Sequence, residues 1–93
     1  MNSLRLNVVW APEAWDDYVS LQDQDRKTLK KINNLIKDID RNGAYKGIGK
    51  PEKLKGDLSG LHSRKIDSKN RLVYRIRGNQ LEIASCKGHY GDK

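Results

Sequence analysis

The amino-acid sequence predicts a single α+β domain, residues 1–93, with an antiparallel sheet in its C-terminal half. An alternating apolar and polar segment comes first, and two segments with apolar residues three and four apart follow it. Three short runs rich in β-branched and aromatic residues come last. The order strand, helix, helix, loop, strand, strand, strand is typical of an α+β fold, and 93 residues suffice for one hydrophobic core.

The first predicted strand extends from Leu4 to Trp10, where every second side chain is apolar. Pro12 then begins a helix, because its missing N–H is not needed in the first helical turn. The predicted apolar stripe of this helix consists of Trp15, Tyr18, Val19 and Leu21.

A second helix is predicted between Asp25, a good capping residue, and about Arg41. Gly43 follows it and is typical of a helix end. The apolar stripe of this helix has the three- and four-residue spacing of one buried face: Leu29, Ile32, Leu35, Ile36 and Ile39. The two helices form a helical hairpin.

Residues 43–57 contain four glycines and no periodicity, which predicts a long loop. Strands are predicted near residues 58–66, 71–77 and 80–87, and together they form an antiparallel meander. Gly78-Asn79 is a strong signal for a two-residue hairpin between the last two strands.

One face of the last hairpin is apolar and packs on the helices, whereas the other face carries Arg71, Arg75 and Arg77. If the turn at residues 67–70 pairs Ile66 with Arg71, then Arg64 and His62 join the arginine side. Such a cationic surface fits phosphate binding, and the alternative is an ordinary solvated face covered by long side chains.

The formal net charge is +7, with seven basic and seven acidic residues in 1–45 against twelve and five in 46–93. A neutral first half and a cationic second half indicate a polyanionic partner, nucleic acid before an anionic membrane. The longest apolar run is too short to span a bilayer, and the start lacks the apolar stretch of a signal peptide. We therefore expect a soluble, cytoplasmic protein that does not bind membranes, and its one cysteine predicts no internal disulfide.

The sequence has no Gly-rich phosphate loop, no Ser-His-Asp set and no paired-cysteine metal motif, so we predict no metal site and no cofactor. Cleavage of RNA by its own 2′-OH needs a base, cations and an acid. Glu52 lies among lysines that keep it ionised and suits the base, while His89 titrates near neutrality and suits the acid. A surface salt bridge and an ordinary surface histidine remain alternatives.

Seven short segments form a pattern that extends over most of the chain: Trp15-Asp16-Asp17-Tyr18, Lys30-Lys31-Ile32-Asn33, Leu35-Ile36-Lys37-Asp38, Gly49-Lys50-Pro51-Glu52, Leu58-Ser59-Gly60, Arg71-Leu72-Val73-Tyr74 and His89-Tyr90. Through these segments residues 8–90 resemble the YoeB family of bacterial toxins. The resemblance implies the RelE/YoeB-like fold, a small α+β fold similar to microbial ribonucleases.

The resemblance also implies roles for individual residues. The general base is Glu52, the general acid is His89, and the arginine that stabilises the phosphate is Arg71. It assigns substrate binding to four further residues: Lys55, Arg64, Lys65 and Tyr90. Lys65 stands where the family has a second arginine, which keeps the charge but loses the bidentate geometry.

The implied function is that of a type II toxin, a ribosome-dependent endoribonuclease that cleaves messenger RNA without a metal. The implied partners are a YefM-type antitoxin, the ribosome, messenger RNA, a second copy of the toxin and operator DNA through the antitoxin complex. Three alternatives remain: a non-catalytic RNA- or ribosome-binding module, a ParE-like toxin that acts on a topoisomerase, and an inactive relative. Lys65 and the extension Gly91-Asp92-Lys93 motivate the last one, and Gly88 is a further departure because it stands where the family has an aromatic residue.

Overall fold

The computed structural model describes residues 4–88, which form one five-stranded sheet with two helices packed on one side. The spatial order of the strands is β1-β5-β4-β3-β2. β1 is parallel to β5, and the other neighbours are antiparallel. The elements are β1 (Asn7–Trp10), α1 (Pro12–Gln24), α2 (Arg26–Asn42), β2 (Glu52–Lys53), β3 (His62–Lys65), β4 (Arg71–Arg77) and β5 (Gln80–Ser85), with a 3-10 turn at Gly56–Leu58. The predicted α+β class and meander are confirmed.

Both helices begin where the sequence predicts. Pro12 is in the first turn of α1, and the Asp25 carboxylate accepts a hydrogen bond from the Thr28 amide at 3.0 Å to cap α2. Gly43 ends α2 with a φ of 89°. Four of the five predicted stripe residues of α2 are buried, and Leu29 is half-buried.

Two of the four residues predicted for the α1 stripe, Tyr18 and Leu21, pack against the core, and the other two do not. α1 packs through Ala14, with Tyr18 and Leu21 beside it, whereas Trp15 is 48% exposed and Val19 is also exposed. The small Ala14 side chain permits close approach to β5 and its end, where the Cys86 thiol contacts the Ala14 carbonyl oxygen. Trp15 instead packs on the edge of Trp10, outside the core.

The predicted loop at residues 43–57 contains a short strand, β2, which pairs with β3 at the edge of the sheet. β3 begins at His62, later than predicted, because the 3-10 turn occupies the preceding segment. None of the helices within residues 4–88 is long and apolar enough to cross a membrane.

The register of β3 overturns one prediction about the sheet faces. Lys65, not Ile66, pairs with Arg71, because Ile66 belongs to a wider turn in which its amide donates to the Asn70 carbonyl. A shift of one residue moves every side chain of a strand to the other face. Arg64 and His62 therefore point toward the helices, and Ser63 and Lys65 lie on the side of Arg71. We call this helix-free side the arginine face; its residues are Glu52, Ser63, Lys65, Arg71, Val73, Arg75 and Arg77.

Candidate active site

An ion pair between Glu52 and Arg71 lies on the arginine face. Glu52 begins β2, Arg71 begins β4, and Ser63 of β3 lies between them. The Arg71 Nη2 atom is 3.0 Å from Glu52 Oε1, and its Nε atom donates to Ser63 Oγ at 3.0 Å. The Arg71 side chain is 16% exposed and that of Glu52 is 62% exposed. The guanidinium is therefore held in a fixed position, whereas the carboxylate remains open to a ligand.

The last described residue of the chain lies beside this ion pair. The Arg71 amide donates to the Gly88 carbonyl at 3.0 Å, and the Gly88 amide donates to Asn70 Oδ1 at 2.9 Å. Gly88 has a φ of 90°, a conformation that glycine adopts at little cost. The candidate acid His89 and the candidate substrate ligand Tyr90 follow Gly88 in sequence and lie outside the described residues.

Arg64 does not take the place that the sequence predicts for it. Its side chain is fully buried on the helix side of the sheet, and all five guanidinium N–H groups donate to protein acceptors. The acceptors are Asp38 Oδ2 at 2.5 Å, the Tyr74 hydroxyl at 2.9 Å, and the carbonyls of Ile48 at 3.0 Å, Gly43 at 2.9 Å and Lys46 at 2.6 Å. Arg64 consequently has no donor available for a phosphate, and we remove it from the candidate substrate ligands.

Asp38 is a residue that the sequence analysis missed. Burial acts to raise the pKa of this carboxyl, but hydrogen bonds from Arg64 and the Ile48 amide outweigh burial and lower the pKa below 3.8. Asp38 and Arg64 together hold the loop that leads from α2 to Glu52. The sequence signals for Asp38 are its position beside the buried stripe of α2 and its place in the family-like segment Leu35-Ile36-Lys37-Asp38, and neither assigns it a role.

The other cations of the arginine face differ in how far they are neutralised. Arg75 contacts Glu82 at 2.5 Å and Arg77 lies 4.0 Å from the same carboxylate, whose pKa is lowered by the Arg75 hydrogen bond. Lys65 is exposed beside Arg71, and no salt bridge within residues 4–88 involves it. Lys55 is exposed beyond β2. Among the described residues, no hydrogen bond joins Lys55 to Glu52.

His62 and Cys86 are buried and do not contribute to this site. The His62 ring packs between Tyr45 and Tyr74, at centroid distances of 4.8 and 5.7 Å. Burial lowers the pKa of His62, and the charges of Lys53 and Arg64 lower it further. Burial raises the pKa of the Cys86 thiol to about 11, so the thiol stays protonated at neutral pH and is a poor nucleophile. Residues 4–88 contain no group of three His, Cys, Asp or Glu side chains able to hold a metal ion.

The arrangement suits chemistry on a phosphodiester. The exposed Glu52 carboxylate can accept a proton, and the neighbouring Arg71 guanidinium can bind a phosphate oxygen. Ser63 fixes the orientation of Arg71, which keeps the donor in place while charge develops on a substrate.

Comparison with known proteins places this architecture in a family. The sequence model of one protein family, described as the YoeB-like toxin of bacterial type II toxin-antitoxin system, matches residues 10–90. Toxin YoeB of Escherichia coli K12 is 47% identical over 85 residues, which cover 91% of this chain and all of that protein. Toxin RelK of Mycobacterium tuberculosis is 43% identical over 84 residues, with coverage of 90% and 98%.

Solved structures agree with the sequence relatives. The YoeB dimer from Staphylococcus aureus is 56% identical with a TM-score of 0.88, and the match covers 92% of this chain and 99% of that one. The YoeB-YefM complex from the same organism gives 55% identity and a TM-score of 0.87 at the same coverage. The chain therefore belongs to the family of YoeB-like toxins of bacterial type II toxin–antitoxin systems.

Proposed function

We propose that this toxin is an endoribonuclease that cleaves messenger RNA on the ribosome in the cytoplasm and thereby inhibits translation. The observation that carries the proposal is the Glu52–Arg71 ion pair, which sets an exposed proton acceptor beside a guanidinium able to bind phosphate on the arginine face. An RNA phosphodiester needs both groups within reach of one nucleotide, because the 2′-OH and the scissile phosphate are adjacent.

In the proposed reaction Glu52 removes the proton of the 2′-OH, and the 2′-oxygen attacks the adjacent phosphorus. Arg71 binds the negative charge that grows on the phosphate oxygens, and the exposed Lys65 and Lys55 add further positive charge. The bond from phosphorus to the 5′-oxygen breaks, and that oxygen takes a proton from a general acid. The products are a 2′,3′-cyclic phosphate and a free 5′-hydroxyl.

His89 is the proposed acid, and Tyr90 is proposed to stack on a base or orient the phosphate. The position of Gly88 supports the role of His89. The Gly88 carbonyl accepts a hydrogen bond from the Arg71 amide, and His89 is the next residue in the sequence. No step in this scheme passes through a metal ion, because base, acid and cations are all side chains of the chain.

We also propose a YefM-type antitoxin and a second toxin copy as partners. The solved YoeB-YefM complex and YoeB dimer from S. aureus, at 55% and 56% identity, support both. An acidic, partly disordered antitoxin segment would cover the arginine face and fold on binding. Operator DNA would be bound through the toxin–antitoxin complex.

Primer extension on a defined messenger RNA in a translation extract tests the proposal. We expect discrete cuts within translated codons with wild-type protein, and a 100- to 10,000-fold loss with Glu52→Gln because a positioned base contributes about that much. Asp57→Asn is the matched control, since Asp57 is an exposed carboxylate in the 3-10 turn that follows β2. His89→Gln is expected to lose activity by a similar factor.

Two results would contradict the proposal in different ways. Equal cutting by wild type and Glu52→Gln would leave a nuclease but remove Glu52 as its base. No cutting by the wild type, with the protein still bound to ribosomes, would replace the nuclease with a non-catalytic binding module.

A further inference from the structure

The charges of the helical hairpin are segregated between its two helices. α1 contains four acidic residues and no basic one, whereas α2 contains six basic residues and two acidic ones. The balance of seven and seven in residues 1–45 therefore conceals a strongly basic helix beside an acidic one, and the first half of the chain is not an electrostatically neutral scaffold.

The two acids of α2 are already engaged within the fold. Asp38 pairs with the buried Arg64, and the Asp40 carboxylate accepts hydrogen bonds from the Arg5 amide at 2.9 Å and the Leu6 amide at 2.7 Å. Asp40 thus anchors the segment that leads into β1. Neither carboxylate is available to neutralise the exposed lysines of the same helix.

The six basic residues of α2 lie on one stripe opposite its buried face. At 100° per residue they fall within about 140° of the helix circumference, over a length of about 22 Å. All six are exposed, and no salt bridge in the described part of the chain involves any of them. We call this surface the α2 cationic stripe; its residues are Arg26, Lys27, Lys30, Lys31, Lys37 and Arg41.

Like charges repel one another along the stripe. Arg26 and Lys30, Lys27 and Lys31, and also Lys37 and Arg41, are like charges four residues apart, and each such pair costs about 0.2–0.5 kcal/mol. An anionic partner that lies along the helix would relieve this repulsion.

We propose that the α2 cationic stripe binds the phosphate backbone of a folded RNA, a contact that rests on the proposed action on ribosome-bound messenger RNA. Lysines and arginines at successive turns suit a row of phosphates, which lysine binds as a point charge. A protein partner fits less well, because the stripe has no apolar side chain and lysine is depleted at protein interfaces.

The groove beside the stripe is consistent with this partner. Its lining consists of Asp25, Lys27, Thr28, Lys30, Lys31, Asn34, Ile66 and Asp67. The two aspartates already accept hydrogen bonds, Asp25 from Thr28 and Asp67 from the amides of the turn before β4. Both carboxylates keep their negative charge, and the three lysines outnumber them, so the lining of the groove has a net charge of +1.

The α2 cationic stripe and the arginine face lie on different sides of the molecule, so each can bind a different part of an RNA partner. α2 packs on the helix side of the sheet, so its outward stripe and the arginine face point to opposite sides of the molecule. One side can hold the single strand to be cut while the other holds a structured RNA. The stripe would therefore contribute binding to the folded RNA and leave the chemistry at Glu52 and Arg71 unchanged.

The test is the affinity of the full chain for an 18-base-pair RNA duplex across a range of salt concentrations. Replacing Lys27, Lys30 and Lys31 together by Gln is expected to reduce the slope of log Kd against log salt by about 2–3, since each phosphate contact contributes close to one unit. Replacing the same three residues by Arg keeps the charge and is expected to preserve the slope.

A charge-matched control uses Lys46, Lys69 and Lys87, which are exposed outside α2. Their joint replacement by Gln removes the same net charge and is expected to change the slope by less than one. An unchanged slope in the α2 variant, or an equal change in this control, would overturn the proposal. Loss of affinity for the antitoxin with unchanged duplex affinity would also overturn it, in favour of an acidic protein partner.

The Glu52→Gln variant separates RNA binding by α2 from the proposed nuclease activity. Glu52→Gln leaves the six stripe residues intact, so replacing Lys27, Lys30 and Lys31 by Gln is expected to reduce the salt slope by the same amount in the Glu52→Gln background, although that background fails to cut. If the wild type does not cut at all yet shows the stripe-dependent slope, the nuclease proposal fails and the RNA contact of α2 stands.

Discussion

Arg64 donates every N–H group of its guanidinium to the protein and makes the buried charge pair with Asp38. Removing one partner of a buried ion pair leaves an uncompensated charge, which typically costs about 3–5 kcal/mol. We therefore expect Arg64→Met and Asp38→Asn each to lower the free energy of unfolding by roughly that amount, measured by urea denaturation.

The neighbour of Arg64 supplies the control for this prediction. Lys65 is exposed on the arginine face, so Lys65→Gln is expected to change the free energy of unfolding by no more than about 0.5 kcal/mol. The double variant Arg64→Met/Asp38→Asn should be far less destabilised than the sum of the two single variants, because the pair acts as a unit. Additive losses would contradict the assigned pairing.

His62 makes the stability of the domain depend on pH. Its folded-state pKa is lowered by burial, then by Lys53 and Arg64, so below pH 6.5 the unfolded chain binds the proton more readily than the folded one. The free energy of unfolding should therefore fall as the pH is lowered from about 7.5 through 6.5 and toward the depressed pKa.

His62→Phe isolates this effect, because phenylalanine can occupy the same place between Tyr45 and Tyr74 without a titratable group. We expect the urea midpoint of the variant to change less between pH 7.5 and 5.5 than that of the wild type. Equal changes in both proteins would show that His62 is not the group responsible.

At the scale of an element, the loop from α2 to β2 depends on glycine where it meets the Arg64–Asp38 pair. A Cβ atom at Gly47 would lie 1.7 Å from Asp38 Oδ2 and 2.9 Å from Arg64 Nη1, and the residue has a φ of 122°. We expect Gly47→Ala to destabilise the fold by about 1–3 kcal/mol and to lower cleavage, since the displaced loop leads to Glu52.

Gly56→Ala is the matched control for the loop. Gly56 also has a positive φ, at 67°, but a Cβ atom there would meet nothing within 4 Å. Alanine can adopt a φ near 67° but not one near 122°, so the difference between the two variants, measured by thermal unfolding and by primer extension, reports the steric contact together with the strain at position 47. Equal effects would show that the contact with Asp38 is not what requires glycine at position 47.

Elements with a clear period or a strong end signal could be predicted from the sequence. α2 has a regular stripe between Asp25 and Gly43, and the Gly78-Asn79 turn defines the β4–β5 hairpin, so their bounds are predicted to within a few residues. The face of β3 could not be predicted, because it depends on whether Ile66 pairs or turns, and a change of one residue reverses it.

The candidate site could be predicted only in part, because contacts between distant segments of the chain bring its residues together. Glu52 and Arg71 are far apart in sequence, and only the resemblance to a family joined them before the structure placed them 3.0 Å apart. The role of Arg64 depends on the register of β3 and on Asp38, 26 residues away, and local patterns contain no information on such a contact.

At the scale of the whole molecule, ten of the nineteen basic residues lie on two surfaces, the arginine face and the α2 cationic stripe. Acidic side chains offset the first surface locally, because Glu52 pairs with Arg71 and Glu82 with Arg75. The stripe has no such partners among residues 4–88. Repulsion within the folded molecule should consequently come mainly from α2 and should weaken as salt is added.

We therefore expect the Tm of the wild type to rise between 20 and 500 mM NaCl. Replacing Lys27, Lys30 and Lys31 by Gln removes two like-charged pairs at nearly equal helix propensity, a gain of about 0.4–1 kcal/mol at low salt. For a domain of this size that gain corresponds to a Tm higher by about 2–8 °C, and the dependence on salt should be smaller than in the wild type. A Tm that is unchanged or lower at 20 mM NaCl would show that the stripe is not a source of repulsion.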